Sequence, residues 1–67
     1  MSVAKVIELT SASPTSIEDA VQKGIARAEK TLDAVKGVWV QNITCDVEDG
    51  QIKEWRVNMK VTFVLKG

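Results

Sequence analysis

The feature that most limits the possible folds is a long period-two run near the C-terminal end. Within the run from Ile52 to Leu65, every odd position from Trp55 onward is apolar, and the even positions from Glu54 to Thr62 are polar. This alternation predicts a β-strand with one face on a core and one polar face. Fourteen residues at about 3.3 Å each would extend roughly 46 Å, well beyond the usual five or six residues. The fold must therefore accommodate one unusually long strand.

A second strand and a tight hairpin are predicted just before this run. Val38–Val47 reads as a strand, and Asp49 and Gly50 sit at the centre of a two-residue turn because both tolerate positive φ. The apolar positions of Val38–Val47 are even at its start and odd in its second half. A β-bulge near Gln41 and Asn42 would reconcile the two halves.

A first strand and one helix account for the N-terminal half. Val3–Leu9 is rich in β-branched residues, and a polar stretch over residues 10–14 interrupts it. Thr15 and Glu18 match a capping box, which predicts that an amphipathic helix of about twenty residues begins there and ends at Gly37. The predicted apolar face of this helix comprises Ile17, Ala20, Val21, Gly24, Ile25, Ala28, Leu32 and Val35.

These elements predict an α+β fold of β-α-β-β order, in which a three-stranded antiparallel sheet packs on one long helix in a single domain over residues 1–67. A chain this short buries only about 60% of its unfolded surface. One cysteine and no histidine leave neither an internal disulfide nor a zinc site to reinforce it. Part of the long strand's edge would also stay unpaired, because its partner strands are shorter. Self-association is therefore the leading option for additional stability.

Composition removes several classes of function. Nine Lys+Arg balance nine Asp+Glu, so no net field attracts nucleic acid or anionic lipid. No apolar run is long enough for a membrane span, and the first residues show no signal-peptide pattern, which together with one unpaired cysteine favours the cytoplasm. The absence of histidine and of a glycine-rich phosphate loop argues against an enzyme. Cys45 is expected to be an inert, packed residue.

The two tryptophans are the strongest candidates for a binding role. With the turn at Asp49-Gly50, antiparallel pairing would set Trp39 opposite Lys60 and Trp55 opposite Thr44. Trp55 shares the apolar parity of its strand and is expected in the core. Trp39 lies either in the core or on the opposite face with Gln41, where an indole would stack on a flat ligand or anchor a subunit contact.

An acidic cluster offers a second, weaker candidate site. Asp46, Glu48 and Asp49 surround the predicted hairpin. Their carboxylates are suited to a hard cation such as calcium. Charged residues at a hairpin tip are, however, more often simply solvated.

Several segments, taken in order with the β-α-β-β pattern, resemble the dodecin family. These are Lys5-Val6-Ile7-Glu8-Leu9, Ser13-Pro14-Thr15-Ser16, Gly24-Ile25-Ala26-Arg27-Ala28 with Thr31, and Met59-Lys60-Val61 with Phe63. The resemblance covers essentially the whole chain without gaps. It implies a hollow homododecamer with its helices facing outward. It also implies binding and sequestration of riboflavin, FMN or a related flavin without chemical conversion.

The resemblance also implies flavin-site positions, and this chain departs from the family pattern at each. Gly37 stands where a tryptophan opens the second strand and stacks on the flavin, while Trp39 follows two residues later on the same strand face. Arg56 replaces a glutamine that bonds the pyrimidine edge, and Thr44 replaces an arginine. Arg56 can donate to flavin carbonyls but cannot accept from an N–H group. Two hypotheses follow: flavin bound in a shifted pose, or a shell without flavin that holds calcium or another ligand.

Overall fold

The computed structural model describes residues 3–31 and 34–65, which form four elements in the order β-α-β-β. They are β1 (Val3–Ser13), α1 (Ile17–Thr31), β2 (Val35–Glu48) and β3 (Gln51–Leu65). The three strands make one antiparallel sheet in the order β1-β3-β2. The predicted fold class and element order are confirmed. No helix in the described ranges has the length and apolar character that a membrane span requires.

The long strand β3 lies at the centre of the sheet and explains why β1 is longer than predicted. Residues 10–13, three of which are polar, continue β1 because they still pair with β3, from Thr10 opposite Asn58 to Ser13 opposite Trp55. Ladder hydrogen bonds to a central strand outweigh their weak β-propensity. Beyond Trp55, residues 51–54 of β3 have no partner on the β1 side within the described chain, which confirms the unpaired edge.

The helix begins one residue later than the predicted capping box. Its cap is Ser16, whose Oγ accepts a hydrogen bond from the Asp19 N–H at 3.0 Å. The Thr15–Glu18 box was therefore wrong by one position. Ser13 is fully buried and stabilises the turn before the helix. Its hydroxyl donates to Asp19 Oδ2 at 2.5 Å and accepts from the Thr15 N–H at 3.0 Å. The polar loop is thus an ordered entry into α1.

The helix ends earlier than predicted, at Thr31. Val35 and Gly37 belong to β2, where Val35 lies opposite Phe63, so the predicted helical cap at Gly37 was wrong. Val35 is β-branched and gains a strand partner on β3 that the helical pattern could not reveal. Leu32, also assigned to the apolar face, lies outside the described residues.

The core occupies only one end of the sheet. A helix of 15 residues extends about 22 Å, whereas 15 residues of β3 extend about 50 Å. Gly24 brings α1 very close to the sheet, since a Cβ there would lie 2.8 Å from Met59 Cε. The buried apolar residues are Ala20, Ala28, Val57, Met59, Val61 and Phe63. The elongated chain has a radius of gyration of 13.7 Å, against about 11 Å for a compact domain of this length.

The β2–β3 hairpin extends beyond α1, and its side chains on the helix side of the sheet are exposed there. Ile43, Val47 and Ile52 are 48%, 65% and 51% exposed, respectively, and together with Cys45 they form what we call the hairpin patch. Cys45 is exposed and Trp55 is half-buried, so neither is the core residue that periodicity predicted. Both lie near the N-terminal end of α1, outside the buried cluster that the helix forms with the sheet.

Candidate functional site

The candidate site lies on the face of the sheet opposite α1, which we call the helix-free face. The buried residues of β3 are odd-numbered, so its even positions and their partners lie on the other side. Gly37 pairs with residue 62, Trp39 with residue 60 and Thr44 with Arg56. The four residues proposed from the sequence therefore share one face.

A β-bulge makes this grouping possible. Trp39 and Thr44 are five positions apart, and a regular strand would place them on opposite faces. The register shifts between Val40 and Asn42, as predicted, and the extra residue restores the common face. A second irregularity follows Asp46. For that reason Trp55 pairs with Cys45, and the prediction that it pairs with Thr44 was wrong.

Trp39 is the most exposed aromatic side chain of the described chain, at 67%. It lies opposite Lys60, as predicted. The Lys60 Nζ atom is 5.5 Å from the centroid of the indole, within cation–π range. The indole is therefore a broad, open stacking surface beside one cationic side chain.

Arg56 occupies the same face but is already engaged. Its Nη2 atom lies 2.8 Å from Asp46 Oδ2 and 3.4 Å from Glu54 Oε1. The hydrogen bond from Arg56, followed by its charge, lowers the pKa of Asp46, and Asp46 in turn raises the pKa of Arg56. A ligand that uses this guanidinium has to share it with two carboxylates.

The acidic residues near the hairpin do not converge. Asp46 bonds Arg56, and Glu48 Oε2 lies 3.0 Å from Lys53 Nζ. Asp49 sits in the turn with φ of 54°, followed by Gly50 at 75°, which confirms the predicted hairpin. An open depression of about 280 Å³ at this tip is lined by Glu48, Asp49, Gln51, Ile52 and Lys53. Within residues 3–31 and 34–65, no three His, Cys, Asp or Glu side chains form a metal-binding group.

Two amide side chains beside Trp39 were not identified as site residues from the sequence. Asn58 donates from Nδ2 to Thr10 Oγ1 at 3.1 Å. Its Oδ1 atom and Gln41 Nε2 are buried and lack a hydrogen-bond partner among the described residues. Sequence periodicity assigned Asn58 to the polar face and Gln41 to a bulge. It carried no signal that either amide would be withdrawn from water.

Comparison with known proteins identifies the family. The Dodecin family model matches residues 3–66. The chain belongs to the dodecin family. The resemblance inferred from the sequence is thereby confirmed over almost the whole chain.

Individual dodecins are similar to this chain in sequence and in structure. Dodecin from Thermus thermophilus is 34% identical over 64 residues, covering 96% of this chain and 93% of the relative. An arginine-to-alanine variant of the T. thermophilus dodecin superposes with a TM-score of 0.93 at 33% identity, covering 100% of both chains. Calcium dodecin from Mycobacterium tuberculosis, described as calcium chelating with a novel calcium-binding site, gives 0.81 at 31% identity, covering 96% and 91% of the two chains.

Proposed function

We propose that this dodecin-family chain forms a homododecameric shell that binds and sequesters a flavin, riboflavin or FMN, without converting it. The observation that carries the proposal is Trp39, which is 67% exposed on the helix-free face and shares that face with Gly37, Thr44 and Arg56. An open indole beside polar groups suits a flat heteroaromatic ring. The lone cysteine fits a reducing cytoplasm as the location.

Assembly is supported by the apolar surface that one chain leaves in water. The helix spans less than half the length of β3, and the hairpin patch is about half exposed or more. Burying such surface stabilises by roughly 25 cal/mol per Å². Membership of the dodecin family supports closure into a shell of identical copies.

A binding role without catalysis agrees with the chemistry of the helix-free face. Stacking on Trp39 would contribute about 0.5–1.5 kcal/mol beyond area burial. Lys60 shares the indole and would shift aside or lie against the bound ring. The sequence holds no histidine, and Cys45 lies on the opposite side of the sheet in the hairpin patch, away from any ring on Trp39.

A fluorescence titration tests the proposal. Flavin-free protein is titrated with riboflavin and with FMN while flavin emission is followed, because a stacked indole quenches excited flavin by electron transfer. We expect quenching at micromolar protein, loss of that quenching in Trp39→Leu, and its retention in the matched control Trp55→Phe. Sedimentation would give the mass of twelve chains for all three proteins. Undiminished flavin emission with the unaltered protein would contradict the proposal.

Calcium is the second candidate, favoured by the calcium-chelating relative from M. tuberculosis. Its ligands here would be Asp46, Glu48 and Asp49, gathered from several copies because one chain does not bring them together. The pairing of Asp46 with Arg56 and of Glu48 with Lys53 counts against it. A melting temperature that rises with calcium and falls back with chelator would support this alternative, and an unchanged melting temperature would dismiss it.

A further inference from the structure

Two amides, Gln41 at the bulge of β2 and Asn58 on the facing strand β3, have hydrogen-bonding groups that the described residues do not satisfy. Gln41 Nε2 and Asn58 Oδ1 are shielded from solvent, and neither has a partner within residues 3–31 and 34–65. Buried polar groups in native proteins are nearly always paired, so each exception requires an explanation. Their partner is expected to come from outside the single chain.

Both amides lie next to the stacking surface. Asn58 precedes Lys60 by two residues on β3, so its rung is roughly 6.6 Å from the rung that pairs Trp39 with Lys60. Gln41 follows Trp39 by two residues on β2. It is also the extra residue of the bulge opposite Asn58. A flat ring on Trp39 that extends toward the hairpin reaches the rung of Asn42 and Asn58 next.

Arg56, which stands at the family's glutamine position, is less suited to the polar contact. It lies two residues farther from Trp39 than Asn58 does, and its Nη2 atom bonds Asp46 and Glu54. A guanidinium also has no acceptor. It cannot receive a hydrogen bond from a ring N–H, whatever its position.

The unpaired groups are chemically complementary to an imide. Thr10 Oγ1 accepts from Asn58 Nδ2 at 3.1 Å, which orients that amide and leaves Oδ1 as the unpaired acceptor. Gln41 Nε2 supplies the donor. An imide edge presents a carbonyl oxygen beside an N–H group, and the pyrimidine ring of a flavin has such an edge.

We propose that Gln41 and Asn58 recognise the imide edge of a flavin stacked on Trp39, with Gln41 donating to a ring carbonyl and Asn58 accepting from the ring N–H. This inference rests on the proposed flavin-binding function. Arg56 remains in its ion cluster with Asp46 and Glu54.

The test compares riboflavin with 3-methylriboflavin, in which a methyl group replaces the imide hydrogen. The assembled protein is expected to bind riboflavin more tightly by roughly five- to tenfold, the effect of one hydrogen bond. Asn58→Leu should weaken riboflavin binding by a similar factor and abolish the preference. Asn58→Asp retains an acceptor and should keep both the affinity for riboflavin and the preference over 3-methylriboflavin. Gln41→Leu should weaken both ligands, whereas Gln22→Leu, at an exposed position on α1, is the control and should change neither.

Each outcome separates this inference from the function on which it rests. If the unaltered protein binds riboflavin but the Gln41 and Asn58 variants bind it as tightly, the inference is overturned and the flavin function stands. If these variants change the sedimenting mass rather than the affinity, the amides are subunit contacts and the inference also fails. If the unaltered protein binds no riboflavin, the proposed function itself is wrong.

Discussion

Trp39 and Trp55 lie on opposite faces of the same β2–β3 ribbon. Trp39 is opposite Lys60 on the helix-free face, and Trp55 is opposite Cys45 on the side that carries α1. A ligand on the helix-free face therefore contacts one indole and is separated from the other by the sheet. This arrangement makes Trp55 an internal control for any experiment on Trp39.

The stacking position should be movable along β2. Gly37 shares the face of Trp39, and a Cβ at Gly37 would meet no atom within 4 Å. Gly37→Trp in a Trp39→Val background is therefore expected to recover flavin affinity by up to about tenfold over Trp39→Val alone. Flavin-fluorescence titration measures the difference, with Gly37→Val in the same background as control. Equal affinity of all three variants would show that the site does not use an indole on this face.

The hairpin patch should be essential for assembly. Val47 is 65% exposed in the single chain, and a lysine there would bring an unpaired charge into a subunit contact, which is costly. Val47→Lys is expected to reduce the sedimenting mass toward that of one chain. Gln22→Lys, on the exposed polar side of α1, is the control and should leave the mass unchanged. An intact assembly in Val47→Lys would exclude the patch as an interface.

Gly24 should be required by the close approach of α1 to the sheet. Alanine would gain about 1 kcal/mol of helix propensity, but its Cβ would lie 2.8 Å from Met59 Cε and 3.1 Å from Leu9 Cδ1. Overpacking costs roughly 1–3 kcal/mol. Gly24→Ala is thus expected to lower the free energy of unfolding by about 1 kcal/mol.

Denaturant unfolding at fixed protein concentration measures this change. In a Met59→Val background the steric cost should largely disappear, so Gly24→Ala becomes neutral or stabilising there. Ala26→Gly, at an exposed helical position, reports propensity alone and should cost about 1 kcal/mol. A stabilising Gly24→Ala with Met59 present would contradict the packing account.

The Arg56–Asp46 pair should give a defined pH dependence. Arg56 lowers the pKa of Asp46 below its ordinary value of 3.8. The pair therefore stabilises the fold above that value, and the contribution is lost as the pH falls through the lowered pKa. Arg56→Gln is expected to return the pKa of Asp46 toward 3.8 and to show its stability deficit at neutral pH but not in strong acid.

Carboxyl NMR titration and unfolding at two pH values check this prediction. Lys53→Gln is the control, because the charge of Lys53 has a smaller influence on Asp46 than Arg56 has. An unchanged pKa of Asp46 in Arg56→Gln would show that the pair does not form in solution.

Much of the candidate site could be predicted from the sequence, but the face of the sheet that holds Trp39 was left open. The family resemblance singled out Gly37, Trp39, Thr44 and Arg56 by position. Whether Trp39 and Thr44 share a face depends on the bulge after Val40, which the change of phase had indicated. The unpaired amides of Gln41 and Asn58 were missed, because burial of a single atom depends on neighbours from other parts of the chain.

The sequence by itself determined the order of the elements, the alternation of β3 and the Asp49-Gly50 hairpin, because periodicity and turn chemistry are local properties. The tertiary structure decided where α1 gives way to β2, which face holds Trp39, and that Cys45 is exposed. Those outcomes depend on pairing with β3 and on how far a short helix reaches along a long sheet. Such relations arise only when distant segments meet.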